Sequence, residues 1–209
     1  MMQVIVTKAV LPPSALAELK DWLGITTTVD DTGLSALLAT ALDVCADFIG
    51  MMPLACTAEE NIPLPTDRRP IPGPMEWQTR TYPADWRLAM RRPGFYALDT
   101  RPVTGVVSVQ GLLPDGTRTN MTPDEYEIRL DADGSCAIRV NNPVELNRGV
   151  VQFTAGMASD WTTLPEPLRH GVMRLAAYQY RNRDTGLADA LPPATVSALW
   201  RPWRRLRLA

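Results

Sequence analysis

Residues 149–157, GVVQFTAGM, and residues 164–183, LPEPLRHGVMRLAAYQYRNR, decide how this chain is read. In the first, Val150, Gln152 and Thr154 alternate with Val151, Phe153 and Ala155, the two-residue period of a half-buried strand. Gly156 and Asp160 supply a break. In the second, Pro165 and Pro167 suit a first helical turn, whose N–H groups lack a partner within the helix anyway. Leu168, Val172, Leu175, Ala176 and Gln179 then keep helical spacing, and Met173, Ala177 and Tyr180 widen the apolar face. Arg169, Arg174, Arg181 and Arg183 fall mainly on the other side or at the end. This strand, polar link and amphipathic helix hold no nucleophile, metal cluster or phosphate loop. They speak of a surface and a partner.

Toward the N-terminus, residues 4–6 (VIV) read as extended, and Pro12-Pro13-Ser14 announces a helix. Ala15, Leu16, Leu19, Trp22 and Leu23 form its apolar face, and Gly24 ends it. A second helix follows, with Asp30 or Asp31 as cap and Gly50 as close. Leu34, Leu37, Leu38, Ala41, Leu42, Cys45, Phe48 and Ile49 keep its 3–4 spacing. The spacing predicts three helices that share one core.

Residues 51–102 carry nine prolines and no sustained period, which denies backbone donors to helix interiors and central strands. They predict an extended excursion. Its aromatics, Trp77, Tyr82, Trp86, Phe95 and Tyr96, either pack back on their own domain or face a neighbour. Short strands follow around Val106 to Leu112, Tyr126 to Leu130 and Cys136 to Val140, with turns at Pro114-Asp115-Gly116, Asp133-Gly134 and Asn141-Asn142-Pro143. The expectation is an α+β fold: a three-helix core, a small antiparallel β-sheet inserted between helices 2 and 3, and an extended C-terminal arm. Its parts are residues 1–50 (helical pair), 51–104 (Pro-rich insertion), 105–157 (β insertion), 158–190 (third core helix) and 191–209 (arm).

A chain of 209 residues can bury a sizeable core, and 45% apolar with 21% charged residues is ordinary soluble composition. The net charge of −2 hides an asymmetry. From Leu168 onward, eight Arg face Asp184 and Asp189, a balance of +6, which leaves −8 on residues 1–167. Such a split suggests a charge-guided partner for the basic end. At that end, residues 200–208 (WRPWRRLRL) combine Trp200, Trp203, Leu206 and Leu208 with Arg201, Arg204, Arg205 and Arg207 around Pro202. A solubilising tail is the bland reading; Trp and Arg are also the residues enriched at binding hot spots.

Other chemistry finds little support. Cys45, Cys56 and Cys136 are odd in number and lack CxxC spacing, and with the lone His170 they make neither a disulfide frame nor a zinc site. Asp115, Asp131 and Asp133 suit turns better than a calcium loop, which needs a terminal Glu at fixed spacing. Asp124, Glu125 and Glu127 lie on a strand entry whose successive side chains point to opposite faces. No catalytic residue, metal or cofactor is expected. Residues 1–14 lack a signal-peptide pattern, and no uninterrupted apolar run suits a membrane span.

The order of these signals resembles the head–tail connector (adaptor) proteins of long-tailed bacteriophages and phage-like gene transfer agents. The residues that carry the resemblance are Phe153, Ala155 and Gly156, then Pro165, Leu168 and Tyr180-Arg181-Asn182-Arg183. Pro193, Val196, Leu199 and Pro202-Trp203-Arg204 complete it. It covers both ends of the chain and departs from the family pattern over residues 51–102. The resemblance implies a structural virion protein at the head–tail interface, made in the bacterial cytoplasm. It implies a homo-oligomeric ring, as a rule of twelve copies, between the portal and a stopper or tail-completion protein. Double-stranded DNA would pass through without sequence recognition. Trp200, Arg201, Pro202, Trp203, Arg204, Arg205, Leu206, Arg207 and Leu208 would form the portal-binding arm. Arg169, Arg174, Arg181, Arg183, Trp77 and Trp86 would be candidates for ring or neighbour contacts. The alternative is a small nucleic-acid-binding protein using the basic C-terminal tail, with affinity that falls steeply with salt.

Overall fold

The computed structural model describes residues 3–64, 94–141, 146, 148–183 and 192–204. The strands are β1 (Gln3–Thr7), β2 (Cys56–Pro63), β3 (Tyr96–Ala97), β4 (Val103–Leu112), β5 (Arg118–Asn120), β6 (Tyr126–Leu130), β7 (Cys136–Val140) and β8 (Arg148–Ala155). The helices are α1 (Pro13–Leu23), α2 (Asp31–Ile49), α3 (Glu166–Arg181) and α4 (Ala194–Trp200), with a 3-10 turn at Arg201–Trp203.

This corrects the expected architecture. Four α-helices, not three, occur among the described residues, and strand takes about as much of the chain as helix. The strands form two sheets, one five-stranded in the order β1-β2-β8-β4-β5 and one three-stranded in the order β3-β7-β6. A single small sheet inserted between two helices is therefore not what the chain builds. The chain divides into two compact units, and the one with the sheets is assembled from Met1–Ile5, Ala58–Asp99 and Val103–Thr154. Strand β2 lies inside the segment expected as a Pro-rich excursion: Pro53 precedes it and Pro63 ends it, and its inward row, Cys56, Ala58, Glu60 and Ile62, sets a carboxylate where a hydrophobe is expected. Glu60 is fully buried, and one of its oxygens accepts the Asp99 N–H at 2.8 Å.

Within the β unit the pleat follows the sequence. Cys136, Ile138 and Val140 point inward on β7, and Val151 and Phe153 on β8. β6 and β7 pair antiparallel with Ile128 opposite Ile138 and Leu130 opposite Cys136. Their turn is held by Asp133, which accepts the Ser135 N–H at 2.9 Å, the local carboxylate-to-backbone bond that favours Asp in turns. Asp115 does the same for Thr117 at 2.9 Å. Asp115 and Asp133 thus do the turn chemistry expected of them.

The second unit comprises Val6–Thr57, Thr100–Pro102 and Ala155–Ala209. Its core gathers Leu19 of α1, the α2 stripe Leu34, Leu38, Ala41, Cys45 and Ile49, and Leu168, Val172, Leu175 and Ala176 of α3, with Val196 and Trp200 of α4. Both early helices end in a left-handed glycine, Gly24 at φ 73° and Gly50 at φ 70°. Asp30 occupies the N-cap of α2 without making a cap bond; its carboxylate instead accepts the Tyr180 hydroxyl at 2.6 Å. Asp31 accepts Lys20 at 2.7 Å, so both carboxylates tie helices together rather than close one. After β8, Gly156 adopts φ 144°, and a Cβ there would sit 2.6 Å from the Ala55 Cα. Only glycine permits that backbone crossing.

Candidate assembly surface

α4 is short, only seven residues, and a helix of that length has little stability of its own. It is fixed by one side chain. Trp200 is 0% exposed, tilted against Phe48 with ring centroids 5.8 Å apart, and its indole N–H donates to the Leu168 carbonyl at 3.4 Å. The indole lies over Gly171, where an added Cβ would fall 2.1 Å from Nε1. Gly171 is therefore the seat that lets Trp200 reach the α3 backbone.

This placement revises the expected arm. Trp200 belongs to the core and has no surface left for a partner. The exposed part begins beyond it: Arg201, Pro202 and Arg204 are exposed, Trp203 is half-buried, and the Arg204 guanidinium stands 5.3 Å over the Phe48 ring. Arg205, Leu206, Arg207 and Leu208 lie outside the described residues.

The arginines of α3 separate by what they touch. Arg169 is held by Glu166 at 2.5 Å and lies 3.8 Å from Glu18 of α1. Glu18 also accepts the Trp161 indole N–H at 3.0 Å, so Arg169 is part of the internal scaffold. Arg183 stands 4.7 Å over the Tyr180 ring. Hydrogen bonding to the Asp30 carboxylate, the main cause, raises the Tyr180 hydroxyl above its ordinary pKa. Arg174 and Arg181 are exposed and line one groove of about 390 Å³ together with Trp22, Tyr178, Asn182 and Pro193. Trp77 and Trp86 lie outside the described residues. Sequence reading missed Trp22 as a surface residue. Its helical spacing put it on the apolar stripe, yet it sits at the stripe's margin, 46% exposed, with its ring edge-on to His170 at 5.2 Å.

The thiols are structural. Burial pushes Cys45 up to about 12 and Cys136 up to about 11, the latter also through the nearby Glu60 and Asp131 charges. Among the described residues no group of three or more His, Cys, Asp or Glu side chains is placed to hold a metal ion.

No family model matches the chain, and no curated protein does. Solved structures do. A chain in the neck of an empty GTA particle computed with C6 symmetry matches with a TM-score of 0.68 at 22% identity, covering 100% of this chain and 98% of that one. The fold is shared with a particle neck. A chain from the virion of a native gene transfer agent (GTA) particle has the same coverage, a TM-score of 0.68 and 21% identity. The neck of a native GTA particle computed with C12 symmetry supplies a third match, at TM-score 0.67 and 21% identity. At such identity the likeness is one of fold, and it runs the full length of both chains.

Proposed function

We propose that this chain is a non-enzymatic structural subunit of a virion neck, a head–tail connector of the adaptor type. Copies assemble into a ring, twelve in the reading that the C12 neighbour supports, which joins the portal to a stopper or tail-completion protein and surrounds the DNA channel. The observation that carries this reading is the end-to-end likeness to chains of GTA particle necks at a TM-score of 0.68. Fold alone does not dictate function, so the physical fit matters. A subunit of a ring needs two different complementary faces, and the chain offers a helical unit with a basic C-terminal end and a separate β unit.

The portal-binding arm in this proposal is residues 201–209, anchored at its root by Trp200. The test is capture of purified portal by the full chain and by a variant that stops after Arg204, which leaves Trp200 seated. Binding by the first and its loss in the second is the expected outcome. Equal binding by both would move the portal contact away from the tail. No portal binding, with salt-sensitive affinity for duplex DNA that disappears on truncation, would replace the connector by the nucleic-acid-binding reading.

A further inference from the structure

Several described bases of the helical unit find partners within it. Lys8 holds Asp43, Lys20 holds Asp31 and Arg169 holds Glu166, while Arg183 and Arg204 stand over aromatic rings. Arg174 and Arg181 depart from that habit. They sit seven residues apart, two turns along one face of α3, and converge on the groove described above without an ion pair among the described residues. A lone exposed arginine needs no explanation, since water solvates it well. Two guanidiniums in one concavity beside Tyr178 and a 46% exposed Trp22 form a different surface: positive charge next to unspent apolar area.

The complementary surface exists on the same chain. Residues 113–135 carry six acids, Asp115, Asp124, Glu125, Glu127, Asp131 and Asp133, against Arg118 and Arg129. Arg118 is already taken by Glu59 at 2.8 Å and Glu127 by Arg139 of β7, so the remaining negative charge of this edge is carried by Asp115, Asp124, Glu125, Asp131 and Asp133. In their midst runs β6, the edge strand of the three-stranded sheet, with Ile128 39% and Leu130 48% exposed. An edge strand with exposed apolar side chains is a surface that proteins as a rule cover or charge.

We infer that the Arg174/Arg181/Trp22 groove of one copy receives the acidic edge of the next copy, strand β6 and the turn after it. The contact is head-to-tail, base and aromatic against acid and aliphatic, so it propagates around a ring rather than closing a two-fold pair. This inference rests on the ring reading above and names the surfaces through which the ring forms.

The test uses the full-length chain as its assembled ring, with Arg174→Lys and Arg181→Lys introduced so that charge is kept and amines are supplied. Rings formed from equal parts of ordinary and ¹⁵N-labelled chains are treated with a zero-length carbodiimide, and the joined peptides are mapped by mass spectrometry. Lysines at 174 or 181 joined to carboxylates of residues 124–133, in isotopically mixed pairs, is the result expected. Joins confined to single-isotope pairs, to other segments of the chain or to the portal overturn it. In parallel, Arg174→Glu with Arg181→Glu lowers ring recovery about tenfold or more at an unchanged melting midpoint. Ring recovery equal to wild type, with lost affinity for duplex DNA, would assign the groove to phosphate instead. Absence of any oligomer of the wild-type chain, in solution or on particles, sinks the ring reading itself and this inference with it.

Discussion

The helical unit and the β unit solve the same problem by different means. In the helical unit glycine makes room for the Trp200 indole at Gly171 and for the 54–55 backbone at Gly156, whereas in the β unit it admits aliphatic side chains, Ile62 at Gly149 and Leu146 at Gly111. The β unit is organised by alternation and by polar groups that satisfy its own backbone, as Glu60 does for Asp99, Asp115 for Thr117 and Asp133 for Ser135. The difference teaches where each unit is vulnerable.

The sharpest way to break the comparison is to remove one large core residue from each unit. Trp200→Ala in the helical unit and Phe153→Ala in the β unit should each cost about 3–5 kcal/mol. Thiol labelling near pH 8 tells which unit opens, because Cys45 and Cys136 are buried and pushed to about 12 and about 11. If the units open independently, Trp200→Ala exposes Cys45 at lower denaturant than Cys136, and Phe153→Ala reverses the order. Simultaneous labelling in both variants would make the two units one cooperative block.

Next in size is Gly171→Ala. Overpacking of this kind costs about 1–3 kcal/mol, and displacement of the indole should appear as a red-shifted tryptophan emission. A melting midpoint equal to wild type would show that Trp200 has room to retreat, and the contrast between the units would weaken. Gly33→Ala sharpens the point from the opposite side. Gly33 lies in α2, where a Cβ would meet nothing within 4 Å, so alanine should stabilise by about 0.5–1 kcal/mol. Loss of stability there would mean that glycine is required for a reason other than space.

The smallest effect is acid sensitivity of the turns. Asp160 in the helical unit is held below its ordinary pKa mainly by the Thr162 hydroxyl and the Thr163 N–H. Asp115 in the β unit is held low mainly by the Thr117 N–H. A carboxyl whose folded pKa is depressed stabilises above its unfolded pKa, and that contribution is lost as pH falls from there through the folded pKa. Protection of the Thr163 and Thr117 amides, followed by NMR exchange, should therefore hold at pH 5 and decline below pH ~4. Asp160→Asn should blunt the decline at Thr163 and leave Thr117 unchanged. A pH-independent Thr163 would remove Asp160 from the account.

What could be read early was what depends on short range. The stripes of α1, α2 and α3, the glycine stops at Gly24 and Gly50, and the β6–β7 hairpin all arise from spacings of a few residues. The charged and aromatic C-terminal end and the arginines of α3 were equally visible as candidates for contact. Less was legible where a residue's type misleads. Pro53, Pro63 and Glu60 concealed β2, and the three-residue β5 was too short to show a period.

By itself, then, the sequence determined helices α1 to α3 and the β6–β7 hairpin, and that positive charge gathers toward the C-terminus. Tertiary structure alone decided how the strands divide into two sheets. It also decided that Trp200 is core rather than arm, and that of α3's arginines Arg169 is spent internally while Arg174 and Arg181 share a groove with Trp22. The physical reason is one of range. A helical or strand period is set by neighbours within about four residues, whereas whether a Trp is buried or an Arg is paired depends on what the chain brings beside it. Here those neighbours are remote: Leu168 for Trp200, and α1's Trp22 for Arg174.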